Sequence, residues 1–158
     1  MLIKLCLATG IAIVVSALCS IFEAVLYSVS LSHVEVLSKS GRYSGKILKK
    51  LKTDIQQPIT AILTLNTISN TMGAAIAGAS AAAVFGDIYL AWFSAAFTFT
   101  ILIFSEILPK TTGVIYNKQL APIVAVPINA LIKILSPLVF LCHLATKLIP
   151  GYNQNSLI

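Results

Sequence analysis

"LCLATGIAIVVSALCSIFEAVLYSVSL", residues Leu5–Leu31, holds one charged side chain, Glu23, in 27 positions. An apolar run of about 20 residues is enough for a helix to cross the roughly 30 Å hydrocarbon core of a bilayer. This run therefore reads as a membrane span, and two more follow it. Their expected bounds are about 5–31, 58–85 and 88–108, with Pro58 in the first turn of the second, where a missing N–H costs nothing. Composition agrees: 58% of the residues are hydrophobic and 10% charged, against about a quarter charged in soluble domains, and mean hydropathy is +0.94. The expectation is one all-α integral membrane domain over residues 1–158. No cleavable signal peptide is expected, because the first run is too long and lacks a small-residue cleavage site.

The formal net charge of +6 could point to nucleic acid, but location excludes it: six of the eleven basic residues lie in Lys39–Lys52. A basic loop between two apolar runs marks the cytoplasmic side, next to anionic membrane lipid. Gly86-Asp87 is short and acidic, and Lys110 and Lys118 follow the third run. The expected topology is multi-pass in the cell membrane, with the N-terminus outside and both Ser32–Gln57 and the region after Lys110 cytoplasmic. Cys6, Cys19 and Cys142 are scattered in apolar stretches and have neither metal-ligand spacing nor a paired framework.

Inside the basic loop, "HVEVLSKSGRYSGKILKKLKT" sets Val34, Leu37, Ile47, Leu48 and Leu51 among charged residues, with a break near Gly41. Two short amphipathic helices are expected there. "GAAIAGASAAA", Gly73–Ala83, offers a small-residue face for close helix packing. The last apolar segment, about 119–149, carries Pro122, Pro127 and Pro137. Three prolines fit a broken juxtamembrane belt helix better than a fourth regular span.

Two carboxylates lie within or at the end of an apolar run, Glu23 and Glu106. An ionisable group there costs at least about 2.5–3.5 kcal/mol on insertion scales, so it calls for a partner or a cavity. Glu106 could pair with Lys110 one turn later. It could also share a site, because other polar groups fall at the same depth. Glu23 is eight residues, about 12 Å, from the inner end of its run, and Asn66 is eight residues from Pro58. Asn66 and Asn70 are an i,i+4 pair on one face, while Ser20, Glu23 and Tyr27 share a face of the first span, with Ser28 near it. Asparagines in a membrane helix can serve interhelical hydrogen bonding. Two of them opposite a carboxylate also suit a hard cation such as Mg²⁺, Ca²⁺ or Na⁺. In "FSEILPKTTG", Phe104–Gly113, Pro109 removes a backbone donor and crowds the Ser105 carbonyl. The expectation is a loosened helix beside Glu106, a sharp turn at Gly113, and Lys110 placed to neutralise an empty site.

"SIFEAVLYSVSLSHVEVL" (20–37), "TLNTISN" (64–70) and "SEILPK" (105–110), in this order and spacing, resemble the transmembrane domain of the CNNM/CorC magnesium transporter family. That resemblance implies a homodimer and an inward-facing acidic cavity that binds Mg²⁺, with export coupled to Na⁺. It implies that Ser20, Ser28, Asn66, Asn70 and Glu106 line the ion site, supported by Glu23, Pro109, Lys110 and Gly113. Ser105 departs from the glycine the family usually places before its glutamate. Family members usually continue into cytoplasmic CBS domains that bind nucleotide; this sequence ends at "PGYNQNSLI", and no CBS domain is expected in it. The alternative reading is a non-transporting dimeric sensor or scaffold that holds a cation structurally. An enzyme is not expected: the sequence has no paired intramembrane aspartates and no HExxH motif.

Overall fold

The computed structural model describes residues 2–148. The first span is helix α1 (Leu2–Ser28), and two short helices follow it, α2 (Leu31–Lys39) and α3 (Tyr43–Thr53). Helix α4 (Gln56–Phe85) runs back alongside α1. A third long helix, Asp87–Ile115, contains α5 (Leu90–Thr100), a π-helical segment (Ile101–Ile107) and α6 (Leu108–Ile115). Helices α7 (Asn117–Ile134) and α8 (Ser136–Thr146) complete the described chain. Among the described residues, three helices are long and apolar enough to cross a membrane: α1, α4 and Asp87–Ile115.

Periodicity decides which faces are covered. Leu7, Ile11, Val14 and Leu18 recur at helical spacing along α1 and are all exposed, while Leu5, Ala12, Ser16, Cys19 and Ser20 on the other side are buried. So wide an apolar exterior, with Trp92 78% exposed and Ile88 86% exposed, suits lipid rather than water. Chain reversals rest on two positive-φ glycines: Gly41 (φ 77°) between α2 and α3, and Gly86 (φ 83°) after α4. Helix α1 stops at Ser28, short of the expected Leu31, because Ser30 caps α2 and its hydroxyl accepts the His33 N–H at 3.4 Å.

The third span differs from expectation in two ways. It does not end at Leu108 but continues to Ile115, and Gly113 lies inside the helix, buried, and makes no turn. A Cβ at Gly113 would sit 2.8 Å from the Ala24 Cβ and 3.1 Å from the Ile21 carbonyl, so this glycine lets α6 lie directly on α1. The loosening expected beside Glu106 takes the form of a widened turn, not a break. The Leu108 N–H bonds the Ile103 carbonyl five residues back, just ahead of Pro109, which has no N–H to give.

The proline-rich segment is not one helix. It bends by 75° between α7 and α8 at Leu135, ahead of Pro137, and the end of the expected belt, residue 149, lies outside the described residues. Pro122 and Pro127 sit inside α7 without ending it. Pro122 leaves the Lys118 carbonyl without its usual donor, and His33 Nε2 on α2 lies 3.3 Å from that oxygen and supplies one.

Two apolar clusters hold the bundle. The larger gathers Leu26, Val34, Leu48, Ile62, Val124 and Ile128, where α2, α3 and α7 close around the C-terminal end of α1 and the start of α4. The smaller, Leu5, Ala77, Ala81 and Phe97, sits at the opposite end. The buried serines Ser16, Ser20 and Ser105 lie between them.

Candidate functional site

The polar layer begins with Ser16. Its hydroxyl, fully buried, donates to Asn66 Oδ1 at 2.7 Å, and Asn70 Nδ2 donates to the same oxygen at 3.4 Å. Asn66 therefore spends its carbonyl oxygen on helix packing, as intramembrane asparagines often do. Ser69 adds a contact from its hydroxyl to the Ala12 carbonyl at 3.4 Å. Gly73, next on that face of α4, is where a Cβ would run into Ala12, which explains why the two helices approach closely enough for these bonds.

Other oxygens in the layer are unspent. Ser20 Oγ and Asn70 Oδ1 are buried and have no hydrogen-bond partner among the described residues. Buried polar atoms are nearly always paired, so each such exception asks for a ligand, a water or an ion. Glu106, on the π-helical segment, is half-buried and makes no hydrogen bond or ion pair among the described residues. Hydroxyl, amide carbonyl and carboxylate oxygens together form the donor set of a hard cation. Among the described residues, no group of three or more His, Cys, Asp or Glu side chains stands ready to hold a metal.

The expected site residues separate into three kinds. Ser20, Asn70 and Glu106 supply free oxygens, whereas Asn66 braces the layer. Ser28 ends α1, eight residues and roughly 12 Å along the axis from Ser20. Lys110 does not pair with Glu106. Its Nζ lies 3.1 Å from Glu23 Oε2, tying α6 to α1 and giving Glu23 a fixed partner. With Glu23 so matched, Glu106 is the carboxyl group of the layer without an ion-pair partner among the described residues.

Sequence reasoning missed two residues. Ser16 lies four residues before Ser20, on the same face, and that spacing was there to be read. Ser105 is fully buried and its hydroxyl donates to the Ile13 carbonyl at 3.1 Å, which locks the π-helical segment onto α1.

The profile of the family described as cyclin M transmembrane N-terminal domain matches residues 7–156. Among curated proteins, the chain is 34% identical over 159 residues to UPF0053 protein sll1254 of Synechocystis sp., covering 97% of this chain and 46% of that one. It is 31% identical over 137 residues to a UPF0053 protein of Haemophilus influenzae, covering 87% of this chain and 33% of that protein. It is also 27% identical over 113 residues to the UPF0053 inner membrane protein YfjD of Escherichia coli, covering 72% and 26% respectively. The chain thus spans less than half the length of these relatives. With the match running over nearly all of its residues, the chain belongs to the CNNM family, as a transmembrane domain of that family.

Proposed function

We propose that this domain transports a divalent cation, Mg²⁺, across the cell membrane along the polar layer, where Ser20 and Asn70, to either side of the Ser16–Asn66 pair, and Glu106 offer it oxygens in succession, and exports it in exchange for Na⁺. The observation that carries the reading is the coincidence of two buried, unpartnered oxygens with an unpaired carboxylate between the same three spans. Membership of the CNNM family supports it. No covalent chemistry is involved: the site opens to one side and then the other. The N-terminus is placed outside, with α2 and α3 at the cytoplasmic surface, where exposed Lys39, Arg42, Lys46, Lys49 and Lys50 meet anionic lipid. On the same reading α7 and α8 form a bent belt at that surface. Association into a homodimer is supported by α4, which leaves Ala75, Ala79 and Ala83 exposed and open space beside Gly78.

The Asn66 hydrogen bonds favour a second reading, in which the layer holds the bundle together and any bound cation is structural. Flux separates the two. The chain in sealed proteoliposomes under an imposed Na⁺ gradient is expected to move Mg²⁺, and Glu106→Gln to abolish most of that movement. Intact Mg²⁺ binding without flux in the unsubstituted chain would establish the structural reading instead.

A further inference from the structure

Among the described helical threonines, those without a local side-chain bond are the exposed Thr67 and Thr71 on α4 and one whose hydroxyl is buried. Thr60, Thr64, Thr98, Thr100, Thr111 and Thr112 each donate their hydroxyl to the carbonyl four residues back, at 2.7–2.8 Å. That bond is the default for a threonine in a helix, since it satisfies the hydroxyl locally. Thr9 on α1 forgoes it: Thr9 Oγ1 is buried and bonds nothing.

Its position gives the exception meaning. Thr9, Ser16, Ser20 and Glu23 are spaced by seven, four and three residues, so they share one stripe of α1. Thr9 lies about 10 Å beyond Ser16 along the helix axis, on the side away from Glu23 and Lys110. Immediately past it the stripe meets Leu5, which is buried with Ala77, Ala81 and Phe97. Phe93 stacks on Phe97 with ring centroids 5.8 Å apart, completing an apolar plug over the N-terminal end of α1. Among the described residues no titratable side chain belongs to this plug, so a charged solute beneath it would meet the Thr9 hydroxyl just below the apolar closure.

We propose that the ion path extends outward from the polar layer to Thr9, whose hydroxyl is a second oxygen station for the hydrated divalent cation, with Phe97 as the side chain that seals it. This rests on the transport reading above. Thr9 accepts a hydrogen bond from the ion's water or offers its oxygen to the ion directly. In the conformation described here, the plug closes the path above it.

The test uses two measurements. In a background with Cys6, Cys19 and Cys142 replaced by serine, Thr9→Cys is compared with Val14→Cys, which lies on the exposed apolar face of the same helix. A small cationic methanethiosulfonate reagent reacts with thiolate, which forms only where water reaches the sulfur. Thr9→Cys in proteoliposomes is expected to label at least tenfold faster than Val14→Cys, and faster still when Phe97→Ala is added. Equal rates would overturn the proposal. In parallel, Thr9→Val, which keeps the shape and deletes the hydroxyl, is expected to preserve Mg²⁺ binding while cutting flux about tenfold, and Thr9→Ser to restore the flux. Flux unchanged in Thr9→Val would also overturn it. Failure of the unsubstituted chain to move Mg²⁺ would count against the transport reading, whereas the labelling contrast still decides whether water reaches Thr9.

Discussion

Lys110 Nζ lies 3.1 Å from Glu23 Oε2, across the interface between α6 and α1, and not against Glu106 one turn back on its own helix. This relationship divides the two intramembrane carboxylates by role. Glu23 has a structural partner, while Glu106 has none among the described residues and stays open to whatever enters the layer.

Because the pair is partly exposed, with side-chain exposures of 46% for Lys110 and 20% for Glu23, its contribution to stability is small. A double-mutant cycle of Lys110→Met and Glu23→Gln in detergent should give a coupling of about 1 kcal/mol. Each single change should destabilise the fold more than the pair together, since each leaves one charge unmatched. A zero coupling would mean that the contact is incidental. Lys110→Met should also tighten Mg²⁺ binding, as it removes a like charge from the neighbourhood of the cation, and titration calorimetry would read this directly.

Helix packing makes a separate prediction at Gly73. A methyl group there would collide with Ala12, so Gly73→Ala should lower thermal stability, by about 1–3 kcal/mol for overpacking in a tight contact. Adding Ala12→Gly should recover most of the loss. Gly78→Ala, one turn on in the same helix, meets nothing within 4 Å and should leave the monomer's stability unchanged. Melting curves of these three variants and the unsubstituted chain would separate a steric cause from a general intolerance of α4 to substitution.

How far the sequence carried the fold can be read from these same residues. Long apolar runs announce membrane helices because lipid imposes a length and a polarity on them, and the three spans were legible on that ground. Pro109 likewise announced a disturbed helix beside Glu106. Gly113 was ambiguous, since glycine serves both sharp turns and tight helix contacts, and only the presence of Ala24 across the interface decides between them. Lys110 was misread for a similar reason. The i,i+4 rule ranks partners on one helix but is blind to a carboxylate delivered by another. At the candidate site, depth and residue type singled out Asn70 and Glu106. The consumption of the Asn66 oxygen by Ser16 was not visible, because it depends on how α1 is rotated against α4.

The Ser16–Asn66 bond and the unsatisfied Asn70 oxygen should respond to substitution in opposite ways. Ser16→Ala removes a buried 2.7 Å bond, and in membrane helices such bonds are worth about 0.6–2 kcal/mol. It should therefore cost stability while leaving Mg²⁺ affinity near that of the unsubstituted chain. Asn70→Ala deletes an oxygen that bonds nothing among the described residues, together with a weak 3.4 Å donor contact. It should cost little stability and weaken Mg²⁺ binding by on the order of tenfold, about 1.4 kcal/mol. Calorimetric titration and thermal melting of both variants would test this split, and a loss of stability without a loss of affinity in Asn70→Ala would assign Asn70 to packing.

Outside the spans, Lys52 on α3 donates from Nζ to the Leu26 carbonyl at 2.7 Å, satisfying one of the last carbonyls of α1 and placing a positive charge at its C-terminus. Lys52→Met should loosen the junction between the basic hairpin and the first span, with a loss of about 1 kcal/mol. The pH dependence has a definite sign. Burial lowers the Lys52 ammonium below the ordinary lysine value of 10.5, so between its folded pKa and 10.5 the unfolded chain holds more protons than the folded one. Stability from this residue therefore rises with pH across that window and is flat below it, where both states are protonated. The neutral amine still carries N–H donors, so the bond to Leu26 survives the titration. Denaturation in detergent at a series of alkaline pH values, for the unsubstituted chain and Lys52→Met, should show the upward trend reduced in the variant. Identical slopes would mean that Lys52 is no more desolvated in the folded chain than in the unfolded one.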